Sequence, residues 1–110
     1  MLPENLLSRA TRFSFLPEGG SLNTNKDHYF EVTVERRKDK WCVASMGAVW
    51  SNTYQEWVGD RLEPGYTHDT RFTLDEAVSL AERLIREEKF NCGMTWETWK
   101  NSPERKLANG

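Results

Sequence analysis

The chain has 110 residues, of which 15 are Lys or Arg and 17 are Asp or Glu, so its formal net charge is −2. This length fits one domain with a single core and needs no disulfide or metal to hold it. The slightly acidic balance argues against bulk nucleic acid or anionic lipid as the main partner, because both require a clear cationic surplus. It does not exclude a local basic patch.

The first residues do not resemble a secretory leader, because 1–4 lack both its basic and its apolar region. No apolar run approaches the roughly 20 residues that a membrane-spanning helix needs. Cys42 and Cys92 lie far apart in the sequence, without the spacing of a zinc or redox motif. We therefore expect a cytoplasmic protein with two free thiols and no membrane partner.

Short elements are predicted near the N-terminus. Pro3 suits the first position of a helix, and Phe13 and Phe15 alternate onto one side of a strand. Turn-forming residues dominate the next segment. The predicted elements are a helix over 3–10, a strand over 12–16 and a mobile surface loop over 17–27.

A β-hairpin gives the clearest strand pattern. Phe30, Val32 and Val34 alternate with polar residues, which predicts a half-buried strand over 28–36. The chain then turns at a polar tip, and a loop of two or four residues would place Val43 opposite Val34. Further strands are predicted over 41–50, with a bulge at Gly47, over 54–58 and over 66–72.

The most informative passage is the start of a helix at Thr73. Thr73 and Glu76 have the spacing of a capping box, in which each side chain accepts a hydrogen bond from the backbone N–H of the other residue. The helix is predicted from 74 to about 89, with a left-handed cap near Asn91 or Gly93. Its apolar stripe consists of Leu74, Ala77, Val78, Ala81, Leu84 and Ile85.

These elements predict one α+β domain over 1–110. The fold is an antiparallel four-stranded meander, with the segment 12–16 as a variant fifth strand, and one long amphipathic helix packed on one face. Short helices flank this unit, and Trp96 and Trp99 share one face of the C-terminal one. Residues 103–110 are expected to form a frayed tail.

No arrangement typical of catalysis stands out. His28 and His68 are the only histidines, and a structural or surface role is the simpler interpretation of both. Neither cysteine has a histidine or a second cysteine at the spacing of a zinc site. We therefore predict no catalytic residues, no metal and no cofactor. An enzyme ranks third among the functional classes.

A basic hairpin tip offers a nucleic-acid alternative. Arg36, Arg37, Lys38 and Lys40 form the densest cationic cluster, and Trp41 beside them would be a stacking platform for a base. The competing interpretation is a solvated hairpin tip. The order of strands, Phe-Thr-Leu-Asp-Glu-Ala and helix resembles in shape the small DNA-binding arms of phage and transposon recombinases. Those arms are usually basic, unlike this chain.

Aromatic residues are abundant, with five Trp, three Tyr and five Phe. A single helix covers one face of a sheet, so the other face is expected to be apolar and sulfur-bearing. That face is predicted to carry Tyr29, Cys42, Ala44 and Met46. The candidate protein-binding residues are Tyr54, Trp57, Trp96 and Trp99. The alternative is that the terminal segments bury this surface internally.

The leading functional hypothesis is a small non-catalytic binding protein that acts through protein–protein contacts. An inhibitor, an immunity protein or an accessory protein of a phage or other mobile element fits this description. Homodimerisation through the second sheet face or an edge strand is a variant. Nucleic-acid binding at 36–41 is the alternative.

Overall fold

The computed structural model describes residues 10–24, 26–60 and 69–109. These residues form five strands, one 3-10 helix and three α-helices. In chain order they are β1 (Arg12–Phe15), the 3-10 helix (Asp27–Phe30), β2 (Val32–Arg37), β3 (Lys40–Ser45), β4 (Ala48–Ser51), β5 (Glu56–Val58), α1 (Leu74–Arg86), α2 (Trp96–Lys100) and α3 (Pro103–Asn109). The predicted helix over 3–10 lies almost wholly outside the described residues.

The strands form one antiparallel meander in the order β1-β2-β3-β4-β5, so the predicted fold class and its fifth N-terminal strand are confirmed. The β2–β3 hairpin has a two-residue loop, because Arg37 pairs with Lys40. Val34 lies opposite Val43 as predicted. This register keeps both valines on the face that α1 covers.

The predicted continuation of one strand across Gly47 is wrong. Met46 and Gly47 have φ values of 52° and 79° and form a tight turn, after which β4 runs back beside β3. Two successive positive φ values are the pattern of a type I′ hairpin turn, whose twist matches that of the flanking strands. The sheet therefore gains a hairpin at the position where we expected a bulge.

Two other strand predictions also need correction. The segment 28–30 belongs to the 3-10 helix, and β2 begins only at Val32. Residues 66–68 of the predicted fourth strand lie outside the described residues, and Phe72 makes a single bridge to Trp41 of β3. The polar segments around these apolar residues are short. The alternation of apolar and polar residues there is too brief to distinguish a strand from a turn.

The capping box at the start of α1 is confirmed. The Thr73 N–H donates to Glu76 Oε1 at 2.9 Å, and the Glu76 N–H donates to Thr73 Oγ1 at 3.2 Å. The helix ends at Arg86, about one turn earlier than predicted, and Glu88 follows it in the left-handed conformation. Of the two predicted cap residues, Gly93 has a positive φ of 74° but lies beyond the helix end, and Asn91 does not have one. The apolar stripe of α1 packs on β2 and β3.

The C-terminal segment forms α3 where we expected a frayed tail. Arg105 of α3 reaches Asp27, whose fully buried carboxylate accepts hydrogen bonds from Arg105 Nε at 3.0 Å and from Trp99 Nε1 at 2.7 Å. The Ser21 N–H donates to the same carboxylate. Asp27, predicted as the end of a surface loop, therefore joins that loop to α2 and α3.

The sheet face away from α1 is not an aromatic patch. A row of small or polar residues crosses all five strands there and consists of Ser14, Thr33, Ala44, Val49 and Val58. Cys42 is buried on this face, and burial raises the pKa of its thiol. Of the other residues predicted on this face, Tyr29 lies in the 3-10 helix, and Met46 lies in the β3–β4 turn, where it borders Ala44 and Val49 at the edge of the face. Small side chains there leave little apolar surface to expose.

Ion pairs cover much of that second face. Arg37 donates to both Glu35 and Asp60, and Arg71 donates to Asp60 at 2.9 Å. Burial raises the pKa values of Glu35 and Asp60, but their hydrogen bonds to Thr33, Arg37 and Arg71 outweigh it, so both pKa values lie below the ordinary range. These charges are already satisfied within the chain.

Candidate protein-binding groove

The predicted basic hairpin tip does not form a joint site. Trp41 is only 5% exposed, and the Arg36 guanidinium lies over its ring at 5.0 Å. Arg37 points to the other face, where it is ion-paired. Of the five predicted residues, Lys38 and Lys40 alone are exposed. The buried indole cannot stack on a base.

The four predicted protein-binding aromatic residues are also separated by the fold. Trp96 and Trp99 are buried in the core, and Trp57 packs against Trp50 and donates from Nε1 to the Lys89 carbonyl at 3.0 Å. Tyr54 lies in the β4–β5 turn rather than in a strand and is 66% exposed. The terminal and inter-helix segments therefore bury Trp96 and Trp99 internally, and Trp57 is half-buried.

An apolar concavity of about 360 Å³ lies at one end of the sheet. We call it the methionine groove. Its walls come from the 3-10 helix, the β3–β4 turn, the α1–α2 connection, α2 and α3. The lining residues are Lys26, Tyr29, Phe30, Met46, Cys92, Met94, Trp99 and Glu104.

The groove is built on a rigid aromatic floor. Phe30 is almost fully buried and makes edge-to-face contacts with Phe90 and Trp96, at ring-centroid distances of 5.1 and 5.3 Å. The Asn91 amide donates to the Ser45 carbonyl at 3.0 Å. This bond ties the α1–α2 connection to the β3–β4 turn, so the two methionine-bearing walls are held relative to one another.

The side chains at the mouth of the groove are sulfur-rich and accessible. Met46 is 50% exposed and Met94 is 45% exposed, and Cys92 is half-buried between the core and Met94. Thioethers are flexible and polarisable, and such side chains are common on surfaces that adapt to apolar partners. Exposing these apolar side chains to water is unfavourable, because apolar surface is stabilised by burial.

Met46 occupies an unfavourable backbone position. Its φ of 52° lies in the left-handed region, where Gly, Asn and Asp are preferred and other residues are strained by roughly 1–3 kcal/mol. An exposed methionine gains little packing to offset this cost. Stability alone therefore does not explain methionine at this position.

The rim of the groove carries one cation and one anion. Lys26 donates to Glu104, and this exposed hydrogen bond raises the pKa of the lysine. Behind the rim, Arg105 lies over the Trp96 ring at 4.8 Å and bonds to Asp27. The rim is therefore electrically neutral, and α3 is fixed against the groove from the inside.

Comparison with protein-family models, with curated proteins and with solved structures finds no match for this chain. The function of the protein is therefore inferred from the geometry of the groove.

Tyr29, Met46 and Trp99 were each predicted from the sequence as surface or binding residues, but the groove that joins them was not predicted. The sequence features that point to the groove are weak. Gly47 follows Met46 as a turn former, and Gly93 separates Cys92 from Met94. A turn assigned to 46–47 would have moved Met46 from the sheet to its edge. The contact of α2 and α3 with the 3-10 helix has no local sequence pattern.

Among the described residues, no helix has both the length and the apolar character needed to cross a membrane.

Proposed function

We propose that this chain is a small non-catalytic binding protein that acts through protein–protein contacts at the methionine groove. The observation that carries the proposal is the accessible groove itself, in which Met46, Met94 and Tyr29 surround an aromatic floor. Aromatic residues and methionine are enriched in the buried centres of protein interfaces. The proposed partner inserts an apolar side chain between the two thioethers.

The strained turn at Met46 supports this role. Lys38 and Gln55 are also exposed at positive φ, but only Met46 of these three places a large apolar side chain in a concavity, which is the feature expected of a binding residue. The free thiols of Cys42 and Cys92 support a reducing, cytoplasmic setting for the protein. An inhibitor, immunity protein or accessory protein is the functional class that we infer.

Photo-methionine cross-linking tests this proposal directly. The diazirine analogue replaces Met1, Met46 and Met94 with little change in size, and irradiation in cells that carry the gene links them to whatever lies in the groove. We expect a partner protein attached to peptides that contain Met46 or Met94. The matched control combines Met46→Leu with Met94→Leu, which keeps the groove apolar but removes the probe there.

A pair of charge variants separates the groove from other exposed apolar residues. Met94→Glu places a carboxylate in the groove and should abolish cross-linking of the partner protein, which we call capture. The apolar contact loses its complementarity in this variant. Tyr54→Glu changes an exposed aromatic at the opposite end of β4 and should leave capture intact. Capture that survives Met94→Glu but is lost in Tyr54→Glu contradicts the proposal.

A further inference from the structure

We propose that a second copy of this chain occupies the methionine groove, in a twofold-symmetric dimer in which Leu107 of each copy enters the groove of the other. This inference rests on the proposed function, since it names the partner of the same groove. Closed twofold dimers use one self-complementary patch on both subunits. The surface around α3 carries both halves of such a patch.

The protruding half is Leu107. At 82% exposure it is the most exposed large apolar side chain among the described residues. Arg105 anchors α3 to Asp27 on the inner side, and Leu107 follows two residues later, about 200° around the helix. Leu107 therefore points outward, away from its own core.

The receiving half lies next to it. Glu104 lines the groove and precedes Leu107 by three residues, which is a rise of about 4.5 Å along the same helix. Residues three apart share one side of a helix. A twofold axis beside α3 thus carries each Leu107 across to the groove of the other copy, where Met46 and Met94 receive it.

The charges on the rim are compatible with a second copy. Lys26 and Glu104 pair with each other within one chain, so the rim is neutral, and a second copy brings an equally neutral rim against it. A partner surface of one sign would bury its charges against this rim without an opposite charge to pair them, which is costly.

The distribution of exposed apolar residues agrees with this arrangement. Five large apolar side chains of the described residues are exposed, and the dimer would cover three of them, Met46, Met94 and Leu107. Contiguous apolar surface on a folded chain marks an interaction site more reliably than scattered residues do.

Sedimentation velocity of the full chain, from about 1 to 200 μM, tests the dimer. We expect the wild type to shift from monomer to dimer as concentration rises, and Leu107→Glu and Met94→Glu to remain monomeric throughout. Leu107→Met should retain the dimer, and Tyr54→Glu is the matched control for an exposed apolar residue elsewhere. Circular dichroism establishes that each variant is folded.

Isotope-mixed cross-linking locates the contact. In a mixture of ¹⁵N-labelled and unlabelled chains that carry photo-methionine, we expect mixed-isotope links between Met46 or Met94 and the peptide that contains Leu107. A wild type that stays monomeric, or a dimer that neither glutamate variant weakens, overturns the dimer. If a different protein is captured in cells while the wild type stays monomeric, the proposed function stands and this inference falls.

Discussion

Asp27 shows how one residue can hold the chain ends to the core. Its carboxylate is fully buried and accepts hydrogen bonds from Arg105, from Trp99 and from the Ser21 N–H. A buried charge is costly unless it is paired and fully hydrogen-bonded, and here it has four such contacts. This cluster fixes α3 and hence one wall of the methionine groove.

Removing this carboxylate should destabilise the protein strongly. In Asp27→Ala the Arg105 guanidinium, whose side chain is only 12% exposed, and the Trp99 N–H lose their acceptor. We expect the free energy of unfolding to fall by about 3 kcal/mol, measured by urea denaturation with tryptophan fluorescence. Glu104→Gln, which removes an exposed ion pair from the same helix, should cost far less than Asp27→Ala. Equal losses would contradict this account.

The same cluster predicts a dependence on pH. Burial raises the pKa of Asp27, but hydrogen bonds from Arg105, Trp99 and Ser21 outweigh it, so the pKa lies below its ordinary value. The stabilisation by the carboxylate is therefore present above the unfolded pKa of about 3.9 and is lost as the pH falls through the folded pKa.

Urea denaturation of wild type and Asp27→Asn across the acid range measures this effect. The stability difference between the two should be constant near neutrality and should narrow below about pH 4, because Asn cannot titrate. A difference that grows in acid would show that the pKa is shifted in the opposite direction.

At the scale of elements, the β3–β4 turn links fold and groove. Gly47 has a φ of 79° and meets no atom within 4 Å of an added Cβ, so the backbone conformation rather than space favours glycine there. Met46 has the same left-handed conformation without that freedom. Met46 therefore makes the turn less stable than a residue suited to the left-handed conformation would, and the same residue forms one wall of the groove.

Met46→Asn should separate stability from binding. Asparagine tolerates the left-handed conformation, so we expect the free energy of unfolding to rise by about 1 kcal/mol in thermal or urea denaturation. Groove-dependent association should weaken in the same variant, because a thioether is lost. The matched control is Lys38→Asn, at a φ of 59° in the β2–β3 turn and outside the groove. It should stabilise the fold similarly and leave association unchanged.

At the scale of the whole molecule, we expect nucleic acid not to be the partner, because the charges of the described residues leave no broad basic surface at the hairpin tip. The net charge is −2, and the basic hairpin tip has its arginines engaged with Trp41, Glu35 and Asp60. Only Lys38 and Lys40 stay exposed there, which is too few cations for appreciable counterion release. The second sheet face is similarly occupied by internal ion pairs.

Binding to single- and double-stranded oligonucleotides at about 50 and 200 mM salt tests this conclusion. We expect no salt-sensitive binding by the wild type, and therefore no change in Lys38→Glu combined with Lys40→Glu. Binding that weakens with salt and disappears in the double variant would restore the nucleic-acid alternative.

Local patterns were sufficient for much of the fold. The capping box at Thr73, the apolar stripe behind it and the pairing of Val34 with Val43 depend on residues close in sequence or on strict alternation. The strand boundaries near Phe30 and Phe72 could not be predicted from local patterns, because tertiary contacts rather than alternation decide them.

The methionine groove needed the folded chain. Met46, Met94 and Glu104 come from two connections and one helix, and their meeting depends on the partly buried bonds of Asn91 to Ser45 and of Arg105 to Asp27. Composition indicated an excess of aromatic side chains. Packing alone determined that most of the tryptophans fill the core while the thioethers face solvent, since burial is a property of long-range contacts that no short pattern encodes.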